Sequence, residues 1–180
     1  IIFNGTKFTG NNAVHCIKIQ DSATGIYAFV GGIVEDANDI TDANGTKLIQ
    51  EVYQYPTIFT NSIGNSIYFN GKGNSQLIVE GCSFEESLAN DTNSVTIENL
   101  TKYANISKNI LGYGNKGVRI VESGLGAFAD GNPAVLKINN NDFDGNGTGI
   151  DFETPLTNTN VTVANNSLTN ISGVGIEDYN

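Results

Sequence analysis

The sequence predicts an all-β fold, a parallel β-helix, β-solenoid or β-arch stack, and the first observation behind this is a unit that occurs twice. Residues 136–143 and 161–168 both read apolar-x-apolar, then four mostly polar residues, then Phe or Leu. A Gly/Asn turn and a Gly-Ile pair follow each unit, at Gly149 and at Gly175. A repeat of roughly 20–50 residues is typical of a solenoid, because each unit buries its apolar face only against its neighbours.

The second observation is the spacing of this unit along the chain. The same opening precedes a set of apolar residues that we term anchors: Phe8, Phe84, Leu111, Phe143 and Leu168. Successive anchors lie 76, 27, 32 and 25 residues apart. A period near 25 fits if the first interval spans three periods, and residues 1–180 then form a single domain of about seven coils.

The third observation is strand-like alternation between turns, with no helix-period stretch of similar quality. Residues 1–22 read as a first coil, residues 25–34 as a buried strand, and residues 47–70 as further strands. Shorter strands are predicted at 95–97 and at 118–121. The final two units, described above, complete the chain.

Two irregular inserts interrupt this pattern, at about 35–46 and 122–134. Both are rich in Gly or Asx residues, which favour turns because they tolerate left-handed backbone and bond it locally. The first insert is the segment that we expect to protrude from the stack.

Composition excludes some functions. The net charge of −10 opposes binding to nucleic acid, which needs clustered Lys and Arg, and to anionic membrane surfaces. No apolar run approaches the 18 or so residues that span a bilayer. The chain begins without Met inside a strand pattern, so we expect either a processed exported protein or a fragment.

The two final units resemble the Asn-rich right-handed parallel β-helix proteins, the pectate-lyase-like solenoids. The resemblance is carried by 138–143 with Gly149-Ile150 and by 163–168 with Gly175-Ile176. Within that fold the chain is most similar to adhesin-like and sheath-type surface proteins of archaea and bacteria. The resemblance implies an extracellular, cell-surface location and no particular enzymatic activity.

A row of polar residues lies two positions before each anchor: Thr6, Cys82, Asn109, Asn141 and Asn166. Asn side chains stacked on successive coils can hydrogen-bond one another as a ladder along the axis. The alternative is that Asn only permits left-handed turns.

Glycosylation sequons, Asn-x-Ser/Thr, occur at nine positions, about twice the roughly four that this composition gives by chance. Either composition and turn preference explain them, or the protein is exported and glycosylated. The nine are Asn4, Asn44, Asn90, Asn99, Asn105, Asn146, Asn160, Asn165 and Asn170.

A calcium-loop pattern begins at Asn140. Oxygen-bearing side chains occupy its positions 1, 3, 5, 7 and 12, at Asn140, Asp142, Asp144, Asn146 and Asp151. Such a loop collects hard oxygen ligands for calcium, although position 12 here is a short Asp and no helical pattern flanks the loop. A solvated turn is the alternative, and the Asx residues of 36–44 are a second cation candidate.

Catalytic residues are not predicted. His15 is the only His and lies within an apolar strand pattern. Adjacent carboxylates at 85–86 and 177–178 would face opposite sides of a strand, unlike a facing glycosidase pair. Cys16 and Cys82 lie on different coils, so we expect either free thiols or an intermolecular disulfide between copies.

The leading hypothesis is a non-enzymatic extracellular structural protein, a self-assembling subunit of a sheath, filament or surface layer. Its partner would be a second copy in a head-to-tail polymer, since neither end of the sequence shows a capping pattern. No cofactor is expected except possible calcium. The alternatives are an adhesin or carbohydrate-binding module that contacts surface glycans, and a polysaccharide lyase or hydrolase of the β-helix class.

Overall fold

The computed structural model describes residues 1–10, 14–20, 23–35, 40–41, 47–48, 51–60, 63–85, 92–121 and 131–178. The described part of the chain is almost entirely β, and the prediction of a parallel β-solenoid is confirmed. Besides strands it contains one 3₁₀ turn, Gly71–Gly73.

Three six-stranded parallel sheets build the stack. Sheet 1 contains β1 (Ile2–Asn4), β4 (Gly25–Val30), β11 (Ser75–Glu80), β14 (Tyr103–Ser107), β17 (Ala134–Asn139) and β20 (Thr159–Ala164). Sheet 2 contains β2 (Lys7–Thr9), β9 (Thr57–Thr60), β12 (Cys82–Glu85), β15 (Ile110–Gly112), β18 (Asp142–Asp144) and β21 (Ser167–Thr169). Sheet 3 contains β3 (His15–Ile19), β10 (Asn65–Asn70), β13 (Asn93–Glu98), β16 (Lys116–Val121), β19 (Thr148–Phe152) and β22 (Ile176–Asp178).

One strand from each sheet forms a coil, and the described strands make six coils, which we number 1 to 6 along the chain. The expectation of seven coils is wrong because the interval from Phe8 to Phe84 holds two coil steps, not three. The missed anchor is Phe59, which pairs with Phe8 on one side and Phe84 on the other. The rest of that interval is an insert.

The insert leaves coil 2 after β4 and returns at β9. It contains the strands β5 (Gly32–Glu35), β6 (Ile40–Thr41), β7 (Lys47–Leu48) and β8 (Glu51–Tyr55), which pair antiparallel as β5 with β8 and β6 with β7. It is therefore longer than the predicted 35–46. Of the second predicted insert, residues 122–130 lie outside the described residues, between β16 and β17.

The core is a set of apolar columns parallel to the stack axis. In sheet 2 the column is Phe8, Phe59, Phe84, Leu111, Phe143 and Leu168. The rings of Phe59 and Phe84 stack with centroids 4.8 Å apart, close to the separation of neighbouring strands. As predicted, Phe143 lies beside Leu168 and Ile138 beside Val163. Phe143 and Ile138 are fully buried, whereas their coil 6 partners are half-buried.

The asparagine row forms a hydrogen-bonded ladder at the corner between sheets 1 and 2, which confirms the ladder interpretation. Asn109 Nδ2 donates to Asn141 Oδ1 at 2.9 Å, and Asn141 Nδ2 donates to Asn166 Oδ1 at 3.0 Å. Each Nδ2 also donates to a backbone carbonyl of the preceding coil, at Val79, Ile106 and Ile138. Asn109 and Asn141 are buried, so these bonds satisfy amides that water does not reach.

Shorter side chains continue the ladder in coils 2 and 3. The Cys82 thiol donates to the carbonyl of Phe29 at 3.3 Å, the same role that Asn Nδ2 fills elsewhere. Thr57, one coil earlier, donates its hydroxyl to Val30 O at 2.7 Å and accepts from the Thr6 N–H at 3.2 Å. The ladder position is therefore occupied by a hydrogen-bonding side chain in every coil.

Candidate functional site

The outer face of sheet 3 carries the largest group of interacting polar side chains in the described residues. Each strand there except β22 points two apolar residues inward with one residue of the outer face between them, as in Val118-Arg119-Ile120. The parallel register aligns these outward residues in one row: Lys18, Tyr68, Thr96, Arg119, Asp151 and Glu177. A second row, at the strand starts, contains His15, Asn65, Asn93, Lys116 and Thr148. We call the two rows together the polar strip.

A four-charge cluster joins coils 4 and 5 in this strip. Arg119 holds Glu153 with two guanidinium nitrogens, Nε at 2.9 Å from Oε1 and Nη2 bonded to Oε2. Lys116 Nζ lies 2.9 Å from Glu153 Oε1 and also pairs with Asp151, whose side chain is fully buried. The hydrogen bonds from Arg119 lower the pKa of Glu153. The two cations and two carboxylates of the cluster balance in formal charge.

A neutral network joins coils 1 to 3. Asn65 Oδ1 accepts hydrogen bonds from Thr96 Oγ1 at 2.6 Å and from Asn93 Nδ2 at 3.0 Å. The Asn65 amide nitrogen must then point at His15 Nδ1, 3.1 Å away, and donate to it. His15 is therefore the tautomer that carries its proton on Nε2. Burial, followed by the charge of Lys18, lowers the pKa of His15.

Tyr68 lies at the centre of the strip. Its ring stacks on His15 with centroids 5.0 Å apart, and Lys18 Nζ lies 5.6 Å from the ring centre. Its hydroxyl donates to Glu98 Oε2 at 2.5 Å, and burial together with this bond raises the pKa of Tyr68. The strip thus offers an aromatic ring, hydrogen-bonding amides and charges across six coils.

Five of the six side chains whose pKa is displaced, among the described residues, lie on or beside this strip: His15, Tyr68, Lys116, Arg119 and Glu153. Such clustering marks a candidate functional surface, although structural ion pairs produce it as well. The strip was not identified from the sequence. The sequence signal that could have revealed the strip is the single residue between two apolar neighbours in the sheet 3 strands, once those strands are aligned.

No protein-family model, curated protein or solved structure matches this chain in comparisons with known proteins.

The predicted calcium residues lie on and around two strands of different sheets, and calcium binding there stays a prediction. Asp142 and Asp144 lie in β18 on sheet 2, with the buried Phe143 between them, whereas Asp151 lies in β19 on sheet 3 and pairs with Lys116. Asp144 Oδ1 accepts from Asn170 Nδ2 at 2.7 Å. Among the described residues, no group of three or more His, Cys, Asp or Glu side chains could hold a metal ion.

The other two predicted calcium ligands, Asn140 and Asn146, differ from each other in their exposure to solvent. Asn140 is an exposed corner residue with φ +57°, and Asn146 is completely buried. A twelve-residue loop wrapped around one ion is not the arrangement seen, because the segment forms two strands of different sheets. Most of the second candidate, in 36–44, lies outside the described residues.

The sequons differ in their access to solvent. Asn4, Asn160, Asn165 and Asn170 are exposed, and Asn99 and Asn105 are half-buried. Asn146 is fully buried in the described structure, and glycosylation at this sequon stays a prediction. Asn44 and Asn90 lie outside the described residues.

Neither cysteine forms a disulfide within the described chain. Cys82 is 2% exposed, and burial raises the pKa of its thiol to about 12. An intermolecular disulfide through Cys82 is therefore incompatible with the folded chain, because a second molecule cannot reach its sulfur. Cys16 is half-buried in sheet 3, two coils away from Cys82 and on a different sheet.

No helix in the described part of the chain is long and apolar enough to cross a membrane.

Proposed function

We propose that this chain is a non-enzymatic structural protein of the cell surface, a self-assembling subunit of an extracellular sheath, filament or surface layer. The proposal is supported first by the kind of fold. Every coil repeats the same inward columns and ladder position, so one coil is a template for the next. A surface that reproduces its own shape suits stacking of identical units.

The observation that carries the proposal is the distribution of exposed apolar side chains. Six of the ten large exposed apolar residues of the described chain lie in coil 1 or coil 6: Ile1, Ile2, Val14, Val161, Val174 and Ile176. Isolated exposed apolar residues need no explanation, but a majority in the first and last coils favours their burial against a further coil, which the proposal assigns to a second copy.

The backbone of the first and last coils also favours pairing with another strand. In the described structure β1, β2 and β3 each pair with a strand on one side, and so do β20, β21 and β22. Edge strands of this kind are templates for pairing with another chain. A contact between unlike ends is heterologous, and repeating it generates a ring or a filament.

The experiment is sedimentation velocity over a range of concentrations, with negative-stain electron microscopy. The chain is expected to form linear or ring-shaped assemblies as its concentration rises. Ile176→Lys, in the last coil, should prevent assembly because it places a charge in the apolar end. Ile110→Lys is the matched control, since Ile110 is 55% exposed in coil 4 and should leave assembly unchanged. A chain that stays monomeric at high concentration would refute the proposal.

A second candidate function is carbohydrate binding, as an adhesin module that contacts surface glycans. The observation that favours it is the polar strip, where the Tyr68 ring lies among amide and charged groups on an outer face. A glycan array is its test. Tyr68→Ala should abolish binding, while Tyr113→Ala, which removes a 64%-exposed ring elsewhere, should not. Equal binding by both variants, or none by the parent chain, would reject it.

A further inference from the structure

The register of the stack specifies which residues of coil 1 and coil 6 occupy the same column. From one coil to the next, the sheets align residues at fixed positions through all six coils. Adding one more coil in this register would place Val163 beside a residue equivalent to Phe3, Leu168 beside one equivalent to Phe8, and Glu177 beside one equivalent to Lys18. These equivalences follow from the paired positions and need no adjustment of the backbone.

We propose that coil 6 of one copy receives coil 1 of a second copy in this same parallel register, with Glu177 beside Lys18 of the second copy. The inference rests on the proposed self-assembly and specifies its interface. A second copy is the occupant because its first coil matches the last coil in apolar columns, hydrogen-bonding groups and charge.

The apolar columns match at four positions. The pairs are Val161 with Ile1, Val163 with Phe3, Leu168 with Phe8, and Ile176 with Ile17 of the second copy. Val161 and Ile176 are 38% and 46% exposed, and Ile1 is 69% exposed, so stacking would cover apolar surface on both sides. Burial of this surface drives association.

The asparagine ladder also continues across such a contact. In four of the five steps, all but the one from Thr57 to Cys82, a backbone N–H at the ladder position donates to the side-chain oxygen of the next coil, as Asn141 N does to Asn166 Oδ1 at 3.0 Å. The Asn166 N–H would meet Thr6 Oγ1 of the second copy. Thr57 Oγ1 already fills this role for the Thr6 N–H, which shows that a Thr hydroxyl suffices.

The charges of Glu177 and of Lys18 of the second copy make the contact between the two copies specific. Within the chain, Glu177 is aligned with Asp151, a like charge, on the coil 5 side. On the open side, Lys18 of the second copy would bring an opposite charge to the same row, and directly opposed charges of unlike sign stabilise a strand pair. One position is unfavourable, because Asp178 would face Ile19. Asp178 is the last residue of β22, where the apolar column of sheet 3 ends.

The test is charge reversal followed by complementation. Lys18→Glu and Glu177→Lys should each raise the concentration needed for assembly by about tenfold, because each places like charges together. Lys72→Glu, at an exposed position of the 3₁₀ turn, changes the net charge as Lys18→Glu does and should leave this concentration unchanged. Thermal melts of all variants check that the monomer still folds.

The decisive result comes from mixing. An equimolar mixture of the Lys18→Glu and Glu177→Lys variants should assemble as the parent chain does, because every junction then joins opposite charges. The double variant should assemble alone. If the parent chain polymerises but the single reversals assemble equally well, or the mixture does not recover, the register is wrong while the structural function stands. A strictly monomeric parent chain would overturn both.

Discussion

Asn141 is a single residue that joins three coils. Its Nδ2 donates to Ile106 O in coil 4 and to Asn166 Oδ1 in coil 6, and its Oδ1 accepts from the Asn109 side chain. It also accepts from the Asn109 backbone N–H at 3.1 Å. Because the residue is 2% exposed, water cannot replace these bonds when the side chain is removed.

Asn141→Ala should therefore lower the free energy of unfolding by about 2–5 kcal/mol, since each buried group left without a partner costs about 1–3 kcal/mol. Urea denaturation followed by circular dichroism measures this. Asn105→Ala is the matched control, because Asn105 is a half-buried outward residue that bonds only the Ser107 hydroxyl among the bonds seen. Equal losses in the two variants would mean that the ladder does not stabilise the stack.

His15 makes the stability of the fold depend on pH. Its pKa in the folded chain is below the ordinary value of 6.5, chiefly because of burial. Between the two pKa values the unfolded chain binds more protons than the folded chain, so the stability due to His15 is lost as the pH falls below about 6.5. Protonation would also turn Nδ1 into a donor that faces the Asn65 amide donor.

The melting temperature of the parent chain should fall between pH 7 and pH 5 more steeply than that of His15→Gln. The Gln side chain can still bond Asn65 but does not titrate in this range. Carboxylates contribute equally to both proteins, and the difference between the two curves isolates the His. Parallel curves would show that the His15 environment does not perturb its protonation.

At the scale of the element, the Gly-Ile pairs mark where the backbone of sheet 3 approaches the side chains of sheet 2. A Cβ on Gly149 would lie 2.5 Å from Leu168 Cδ2 and 2.6 Å from Gly175 O. A Cβ on Gly117 would lie 2.4 Å from the Phe143 ring. The glycines therefore make room for the anchor column, and conformational freedom is not the reason for them.

Gly149→Ala should lower the free energy of unfolding by about 1–3 kcal/mol, the usual cost of inserting a methyl group into a packed core. Gly175→Ala is the control in the same column of the last coil, where the nearest atom, Leu168 Cδ2, would be 3.6 Å away. Both variants are measured at low protein concentration, so that the free energies of unfolding of the free monomers are compared. A Gly149→Ala variant as stable as Gly175→Ala would contradict the packing described here.

The strands that could be predicted are those whose inward residues repeat. Ile138 and Phe143 recur as Val163 and Leu168 because both pairs fill the same columns, and column positions demand apolar residues. Asn141 and Asn166 recur because the ladder needs an amide that both donates and accepts. The place of β9 in the repeat escaped prediction because the insert displaces the strand along the chain and its ladder residue is Thr57 rather than Asn.

The polar strip could not be predicted for the opposite reason. Its outward row changes identity at every coil, from Lys18 and Tyr68 to Arg119 and Asp151. Exposed positions do not have to match a neighbour in shape, so no period appears in the sequence. Only the register shows that residues as distant as Arg119 and Glu153 meet.

At the scale of the whole molecule, the insert shows that a coil tolerates long additions at its corner. The chain leaves sheet 1 after Val30 and returns at Thr57 in the ladder position, and the coils on both sides remain in register. Replacing residues 32–55 with a short turn should thus leave the melting temperature within about 2–4 °C of the parent value, the shift that a change of about 1 kcal/mol produces in a domain of this size. Loss of cooperative melting would show that the insert supports the stack.

The direction of the hydrogen bonds sets how the molecule would respond to a pulling force. In all three sheets the strand-to-strand bonds run from one coil to the next, parallel to the stack axis. Axial tension therefore loads the coil junctions in series, and the weakest junction opens first. Neighbouring coils lie about 4.8 Å apart, and each contains about 25 residues, as between Phe143 and Leu168. A coil that opens therefore releases about 80 Å of extended chain. Under load the molecule would lengthen in discrete steps while the coils that remain closed keep their packing.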